Sequence, residues 1–332
     1  MKQLTVLGAG SWGTALSIVL APRFETVRLW VHESELAAQM TVTRENGLYL
    51  PGFPLPENVQ PTPDLQAASA NAAVVLGVVP SHHLRHVFTQ ALPYLSPQTS
   101  FVSATKGIEN DSLMRMSEVI RSVIPLRNEP NIAVLSGPTF AKEVAAGQPT
   151  AVVIASEDEE FAALIQAAFS GPTFRLYTNT DPIGVELGAA LKNVIAIGAG
   201  ICQGLGLGSN TVAALITRGL AEISRLAVAM GGDPRTLSGL AGLGDLVLTC
   251  NGELSRNRKV GIGLAEGLTL EEILGGTKMV AEGVETTYAA VDLSKRYGIE
   301  MPITEQMYGV LRAGRSPQDA IRELMERSLK RE

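Results

Sequence analysis

Lys192 is the residue whose surroundings most favour proton transfer. Large apolar residues recur at helical spacing between positions 183 and 195, and the lysine lies about 100° from the centre of that stripe. Its own helical neighbours are small: Gly188, Ala189, Ala196 and Ala199. Poor solvation lowers the pKa of a lysine, and a second cation lowers it further. We therefore predict that Lys192 is a proton donor and acceptor near neutral pH. The alternative is a lysine that extends to the surface along its apolar stem.

Asp245 and Lys106 are further candidates. Asp245 is the sole charged residue of the apolar, glycine-rich run at 241–250, and a buried carboxylate needs a partner. We expect it to contact a lysine or a substrate hydroxyl, with helix capping as the alternative. Lys106 follows a predicted strand between two small residues, at the edge where functional groups of an open α/β sheet gather. The alternative for Lys106 is a solvated loop lysine.

The run Ser255-Arg256-Asn257 offers a guanidinium group and neutral hydrogen-bond donors within one turn. This combination suits a phosphate group, although it is also typical of a basic helix start. No metal-ligand spacing is present. His82, His83 and His86 lack a Cys or acidic partner, so we interpret them as a solvated helix start and predict no metal site.

Gly8, Gly10 and Gly13 form a G-x-G-x-x-G sequence between a short apolar strand and a helical segment. In that context the glycines permit a tight turn, close approach of a pyrophosphate and packing of the helix on the strand. Backbone N–H groups near Ser11 and Trp12, at the start of the helix, are suited to binding phosphate oxygens. The loop predicts a dinucleotide cofactor.

His32 occupies the place, after the second predicted strand, where an NAD-specific site usually has an acidic residue, and Glu33 follows it. An imidazole tolerates a 2′-phosphate that a carboxylate would repel. We therefore predict NADPH, with NADH as a further possibility.

Alternating strands and helices predict a doubly wound α/β domain of the Rossmann type at 1–180, followed by an all-helical domain at 181–332. The predicted strands span 5–7, 26–31, 72–79, 100–104, 132–135, 151–155 and 174–177. The predicted helices include 111–123, 157–169, 183–202, 211–230, 234–240, 258–266, 270–274, 285–297 and 317–329. The proline-rich segment 49–63 is expected to be an irregular loop.

Composition excludes several classes of function. A net charge of −6 without a basic cluster argues against nucleic-acid or membrane-surface binding. Cys202 and Cys250 lie in apolar surroundings, which favours a reducing cytoplasm over a disulfide framework. The apolar stretch 187–207 contains Lys192 and Asn193, so we expect a buried helix rather than a membrane span. A homodimer through the helical domain is a hypothesis.

Seven motifs, in order between residue 4 and about residue 305, resemble bacterial NAD(P)-dependent glycerol-3-phosphate dehydrogenases. They are Gly-Ala-Gly-Ser-Trp-Gly-Thr-Ala, Thr-Lys-Gly, Ser-Gly-Pro-Thr-Phe-Ala, Leu-Lys-Asn, Ala-Gly-Leu-Gly-Asp-Leu, Ser-Arg-Asn-Arg and Val-Ala-Glu-Gly. The resemblance implies a helical domain of the 6-phosphogluconate-dehydrogenase type. It also implies reversible reduction of dihydroxyacetone phosphate to sn-glycerol 3-phosphate, a precursor of glycerophospholipids.

The same resemblance implies two sets of site residues. The cofactor set comprises Gly8, Gly10, Ser11, Trp12, Gly13, His32, Lys106, Ala141, Arg256, Val280 and Glu282. The substrate set comprises Lys106, Gly137, Thr139, Lys192, Asp245, Thr249, Ser255, Arg256 and Asn257. Two alternatives stay open: another β-hydroxyacid dehydrogenase with the same two domains, and a non-catalytic NADP-sensing regulator.

Overall fold

The described part of the chain contains one eight-stranded sheet, followed by a bundle of helices. The computed structural model describes residues 2–124, 130–275 and 281–329. The strands are β1 (Gln3–Leu7), β2 (Thr26–Trp30), β3 (Val59–Thr62), β4 (Val74–Gly77), β5 (Ser100–Ser103), β6 (Ile132–Ser136), β7 (Thr150–Ala155) and β8 (Phe174–Asn179).

The strand order is β3-β2-β1-β4-β5-β6-β7-β8. All pairs are parallel except β6 with β7, which is antiparallel. Successive strands run outward from β1 in both directions, so the order reverses between β1 and β4. A ligand-binding crevice forms at such a point, beyond the carboxyl ends of the strands. The structure thus confirms the predicted Rossmann-type sheet.

One strand was missed by the sequence-based prediction. Val59–Thr62 forms β3 inside the segment 49–63, which we expected to be an irregular loop throughout. β3 lies at the edge of the sheet and contains Pro61, which has no N–H to donate. A short edge strand with half-exposed residues lacks the apolar run by which the inner strands are recognised.

Seven α-helices lie among the described residues before β8. They are α1 (Ser11–Leu20), α2 (Ser34–Thr43), α3 (Leu65–Ser69), α4 (Leu84–Ala91), α5 (Met116–Val123), α6 (Ala141–Ala145) and α7 (Glu159–Phe169). The helix predicted from residue 111 begins only at Met116, because Leu113 has a positive φ of 61° that is incompatible with a helix.

The regular elements among the described residues after β8 are all helices. They are α8 (Pro182–Gly204), α9 (Ser209–Ala229), α10 (Pro234–Leu237), α11 (Asp245–Asn251), α12 (Arg256–Ala265), α13 (Leu270–Gly275), α14 (Glu282–Tyr297), α15 (Pro302–Arg312) and α16 (Pro317–Met325). A short π-helical turn at Leu240–Gly244 precedes α11. This helical region confirms the predicted fold class, whereas the boundary near residue 180 stays a prediction.

α8 is the central helix of this bundle. It begins at Pro182, and the side chain of Asp181 accepts a hydrogen bond from Gly184 N at 2.9 Å. Of the described helices, α8 alone is long and apolar enough to cross a membrane, and its apolar window is entirely buried inside the protein. α12 crosses it closely, since a Cβ on Gly261 would collide with the Ile197 carbonyl oxygen.

Two helices of the bundle were not predicted. α11 has seven residues, too few for a periodic pattern to be recognised. α15 did carry a signal: Pro302 stands at its first position, and Ile303, Met307 and Val310 follow at helical spacing.

Candidate active site

The glycine loop between β1 and α1 has the shape of a phosphate cradle. Gly8 has a φ of +116°, and a Cβ on Gly13 would collide with the Gly8 carbonyl oxygen. A Cβ on Gly10 would meet nothing within 4 Å, so the space beside the Gly10 backbone is open to a ligand. Gly10 also caps α1 without a side-chain hydrogen bond, which leaves the first N–H groups of the helix available. These residues fit a dinucleotide.

Neighbouring residues support the loop. Ser11 Oγ donates to the Tyr49 carbonyl at 2.7 Å, and Asn46 Nδ2 donates to the Ala9 carbonyl at 2.8 Å. The Trp12 indole nitrogen is buried without a hydrogen-bond partner among the described residues. Sequence reasoning missed Asn46, because a lone asparagine in a loop carries no periodic or motif signal.

His32 is exposed between β2 and α2, beside the edge of the crevice. Its ring lies 5.7 Å from the ring of Trp30, edge-on. The adjacent Glu33 is engaged elsewhere: Tyr49 Oη donates to its Oε1 at 2.9 Å. Burial, together with this carboxylate, raises the pKa of Tyr49.

The structure brings Lys106, Lys192 and Asp245 together into a lysine–aspartate cluster. Lys106 Nζ lies 2.7 Å from Asp245 Oδ2, and Lys192 Nζ lies 3.1 Å from Asp245 Oδ1. Lys106 Nζ also donates to Gly137 O at 3.2 Å and to Thr139 Oγ1 at 3.3 Å. Lys106 and Gly137 follow β5 and β6, so the cluster lies beyond the carboxyl ends of these strands.

Lys192 lies inside the protein. Its side chain is 7% exposed and that of Asp245 is 1% exposed, so Lys192 does not extend to the surface. Lys192 Nζ donates to Thr249 Oγ1 at 2.6 Å, and Thr249 in turn donates to the Asp245 carbonyl at 2.6 Å. Burial lowers the pKa of Lys192 to about 8; the Lys106 ammonium adds to this lowering and the Asp245 carboxylate opposes it. A lysine with this pKa is suited to exchange protons near neutral pH.

The same geometry decides between the alternatives for the other two charges. Lys106 is not a solvated loop lysine, since its side chain is 15% exposed and makes three polar contacts. Asp245 is the first residue of α11, but its carboxylate pairs with the two lysines. The predicted contact between Asp245 and a lysine is present twice.

Ser255, Arg256 and Asn257 form the start of α12. Ser255 caps the helix by accepting from Arg258 N at 3.3 Å, as the alternative of a helix start requires. Arg256 is exposed, and Asn257 Oδ1 accepts from Gly283 N at 2.9 Å. α11 and α12 both pack on α8, so this group and the lysine–aspartate cluster share one supporting helix.

Ala141 and Glu282 begin α6 and α14. Ser81 Oγ donates to Glu282 Oε2 at 2.8 Å, which links the loop after β4 to the helical region. Burial raises the pKa of Glu282, while Ser81, His82 and Arg256 act to lower it. Val280, also predicted to touch the cofactor, lies outside the described residues.

No group of three or more metal-ligating side chains occurs within residues 2–124, 130–275 and 281–329. The arrangement brings together a buried lysine with a lowered pKa, a carboxylate paired with two ammonium groups, and an open glycine loop at the same edge of the sheet.

Two family models match the chain: the N-terminal part of NAD-dependent glycerol-3-phosphate dehydrogenase at residues 3–162, and its C-terminal part at 181–322. A glycerol-3-phosphate dehydrogenase of Koribacter versatilis, named as using NAD(P)+, is 57% identical over 329 residues, covering 98% of both chains. One from Geobacter sp. strain M21 is 54% identical over 331 residues, covering 100% of this chain and 99% of the relative.

The solved glycerol-3-phosphate dehydrogenase of Coxiella burnetii superimposes with a TM-score of 0.94 at 43% identity, covering 98% of this chain and 99% of that one. A ketopantoate reductase of Ralstonia eutropha, at 18% identity and a TM-score of 0.61 over 96% of this chain and 99% of that one, shares the fold alone. The chain therefore belongs to the NAD-dependent glycerol-3-phosphate dehydrogenase family.

Proposed function

We propose that this enzyme catalyses the reversible, NAD(P)H-dependent reduction of dihydroxyacetone phosphate to sn-glycerol 3-phosphate, which feeds glycerophospholipid synthesis. The relatives at 50–57% identity bear the name of this activity. The observation that carries the proposal is the buried Lys192 ammonium, 3.1 Å from Asp245 and beside the sheet edge that holds the glycine loop.

Lys192 is the proposed proton donor. When bound, the nicotinamide dinucleotide would supply a hydride for the substrate carbonyl carbon, and Lys192 would give a proton to the carbonyl oxygen. With a pKa of about 8, the lysine is mostly protonated at neutral pH and still gives up its proton readily. In the oxidative direction the neutral amine of Lys192 accepts the hydroxyl proton.

Lys106 and Asp245 support that step. The Lys106 ammonium polarises the carbonyl and binds substrate together with Gly137 and Thr139, which it already contacts. The Asp245 carboxylate holds both ammonium groups, and Thr249, one turn later on the same helix, also accepts a hydrogen bond from the Lys192 nitrogen. Such contacts restrict the side chains to one geometry, as general acid catalysis requires.

Ser255, Arg256 and Asn257 are the proposed phosphate site. Arg256 is exposed and has no hydrogen-bond partner among the described residues, so its guanidinium is available for a bidentate contact. Asn257 retains its amide N–H donors, since it is Oδ1 that binds Gly283.

The cofactor is a nicotinamide dinucleotide, and we propose a preference for NADPH. Glu33, the nearest carboxylate to His32 in sequence, is engaged by Tyr49 at 2.9 Å, while the His32 imidazole is exposed. A 2′-phosphate at this edge therefore meets an imidazole. The remaining cofactor contacts proposed here are the loop residues Gly8, Gly10, Ser11, Trp12 and Gly13, together with Lys106, Ala141, Arg256, Val280 and Glu282.

The alternatives receive less support. A β-hydroxyacid dehydrogenase with the same two domains needs no phosphate site at α12, and a non-catalytic NADP-sensing regulator needs no proton donor.

We also propose that the protein works in the cytoplasm. A homodimer through the helical region is a proposal that a monomeric mass in light scattering would remove.

The activity is tested by following NADPH and NADH oxidation with dihydroxyacetone phosphate and, in parallel, with 2-keto acids. We expect turnover with the phosphorylated ketone and faster reaction with NADPH. Replacing Arg256 by Met should raise the KM for dihydroxyacetone phosphate by about tenfold to a hundredfold, because a charged hydrogen bond is lost. Equal or better turnover of a 2-keto acid would contradict the proposal.

A further inference from the structure

The Ser81–Glu282 contact is the structural basis of one further inference. We propose that Ser81 is a positioning residue, which binds no ligand itself but holds the Glu282 carboxylate in place for the cofactor. The inference rests on the proposed cofactor role of Glu282. It adds Ser81 as the residue that orients the Glu282 carboxylate for this role.

Ser81 approaches the carboxylate with two donors. Its Oγ donates to Glu282 Oε2 at 2.8 Å, and its backbone N–H donates to Oε1 at 3.4 Å. Ser81 is 2% exposed, so water competes little for its hydroxyl. Both oxygens of the carboxylate are thus oriented by one residue 201 positions away in sequence.

The backbone of Glu282 is held from the opposite side. Glu282 is the first residue of α14, and the N–H of the next residue, Gly283, donates to Asn257 Oδ1 at 2.9 Å. The backbone is therefore tied to α12 and the carboxylate to the loop after β4. Glu282 therefore links the loop after β4 to α12 through contacts at both of its ends.

The position of the contact indicates which part of the cofactor it serves. A Cβ on Gly107 would lie 2.5 Å from Ser81 Cβ and 3.3 Å from Glu282 Oε2, so the loops after β4 and β5 meet at the carboxylate. The adenosine ribose is recognised on the other side of β1, at the end of β2. Glu282 thus lies on the side of β1 away from the end of β2, where its carboxylate would accept an N–H such as that of the nicotinamide carboxamide.

Ionisation of Glu282 gives the contact a second consequence. Burial raises the pKa of this carboxyl group, and the Ser81 hydroxyl, His82, the Ser81 N–H and Arg256 oppose that rise. Without the hydroxyl, the pKa of Glu282 rises further. The protonated form loses acceptor capacity, so cofactor affinity should then fall more at acidic pH.

The test measures NADPH and NADH dissociation constants by fluorescence titration without substrate. Ser81→Ala should weaken binding by roughly tenfold, the range of a hydrogen bond to a charged group. Ser81→Cys keeps the size and a weak donor, so it should give an intermediate loss. Ser69→Ala is the matched control: Ser69 is buried on α3 and its Oγ has no partner among the described residues, so binding should not change.

A double-mutant cycle separates positioning from a merely structural role. In a Glu282→Ala background, Ser81→Ala should change the dissociation constant by less than about twofold, because the residue it acts through is gone. The ratio of the Ser81→Ala and wild-type constants should also rise as the pH is lowered; His82 and Arg256 are present in both proteins.

An equal loss in both backgrounds, or unchanged affinity in Ser81→Ala, would overturn the inference. Loss of folding in Ser81→Ala would show in its melting temperature. In that case Ser81→Cys is used instead, and its cofactor dissociation constants are compared with and without Glu282. Wild-type turnover of dihydroxyacetone phosphate tests the proposed function separately. If the wild-type enzyme turns over dihydroxyacetone phosphate but Ser81→Ala leaves cofactor affinity unchanged, the inference about Ser81 is rejected while the proposed function stands.

Discussion

The glycine loop and the lysine–aspartate cluster are built in opposite ways. The loop is contiguous: six residues, 8–13, run from the end of β1 into the first turn of α1 and contain the turn, the close packing and the open side at Gly10. The cluster joins residues 139 positions apart, from the loop after β5 and from α8 and α11. Local geometry makes the first, whereas packing of helices against the sheet makes the second. Damage to the loop should therefore affect cofactor binding, and damage to the cluster should affect the chemical step.

Lys192→Met gives the largest expected effect. Methionine fills the buried space but has no proton to donate, so kcat should fall by about 10²–10⁴-fold, the usual contribution of general acid catalysis. NADPH binding, measured by fluorescence titration, should stay within about twofold of wild type, since the loop is untouched. Wild-type kcat in this variant would show that the proton comes from elsewhere.

The dependence of the rate on pH also tests the lysine–aspartate cluster. Reduction needs protonated Lys192, so its rate should be constant at lower pH and fall above about pH 8, while the oxidative rate rises over the same interval. Asp245 raises the pKa of Lys192, so Asp245→Asn should move the fall to lower pH.

At pH 8 the Asp245→Asn variant should be slower in reduction by about tenfold per unit of pKa shift. Initial rates from pH 6 to pH 10 with both substrates measure the shift. A profile that stays in place, or moves to higher pH, would mean that Asp245 does not act on Lys192.

Two glycine variants test the glycine loop, and their expected effects on the KM for NADPH and on folding stability are smaller. Gly10→Ala places a methyl group in open space, so the melting temperature should hardly change while the KM for NADPH rises by roughly tenfold. Gly13→Ala forces a methyl group against the Gly8 carbonyl and should cost about 1–3 kcal/mol of folding stability.

Thermal unfolding and NADPH titration of both variants provide the measurement. If Gly10→Ala lowered kcat and left the KM for NADPH unchanged, the assignment of cofactor binding to the loop and of the chemical step to the cluster would be wrong.

Prediction from the sequence succeeded where the signal is local. The apolar run of β4 and the helical period of α8 indicated their elements, and the glycine spacing indicated the cradle. It failed at β3, where an edge strand with Pro61 lacks an apolar run, and at α11, which is shorter than a recognisable period. The Ser81–Glu282 contact and the support that Asn46 gives the loop depend on chain segments that only folding brings together.

The sequence by itself determined the fold class and the glycine turn after β1, and it named Lys106, Lys192 and Asp245 as candidates, because strand runs, helical periods and isolated charges are visible along the chain. Only the tertiary structure decided that one carboxylate lies between two ammonium groups, at 2.7 and 3.1 Å. The reason is that a pKa depends on burial and on neighbouring charges in space. The surroundings of Lys192 are contributed by chain segments before and after α8, and they meet it only when the helices pack.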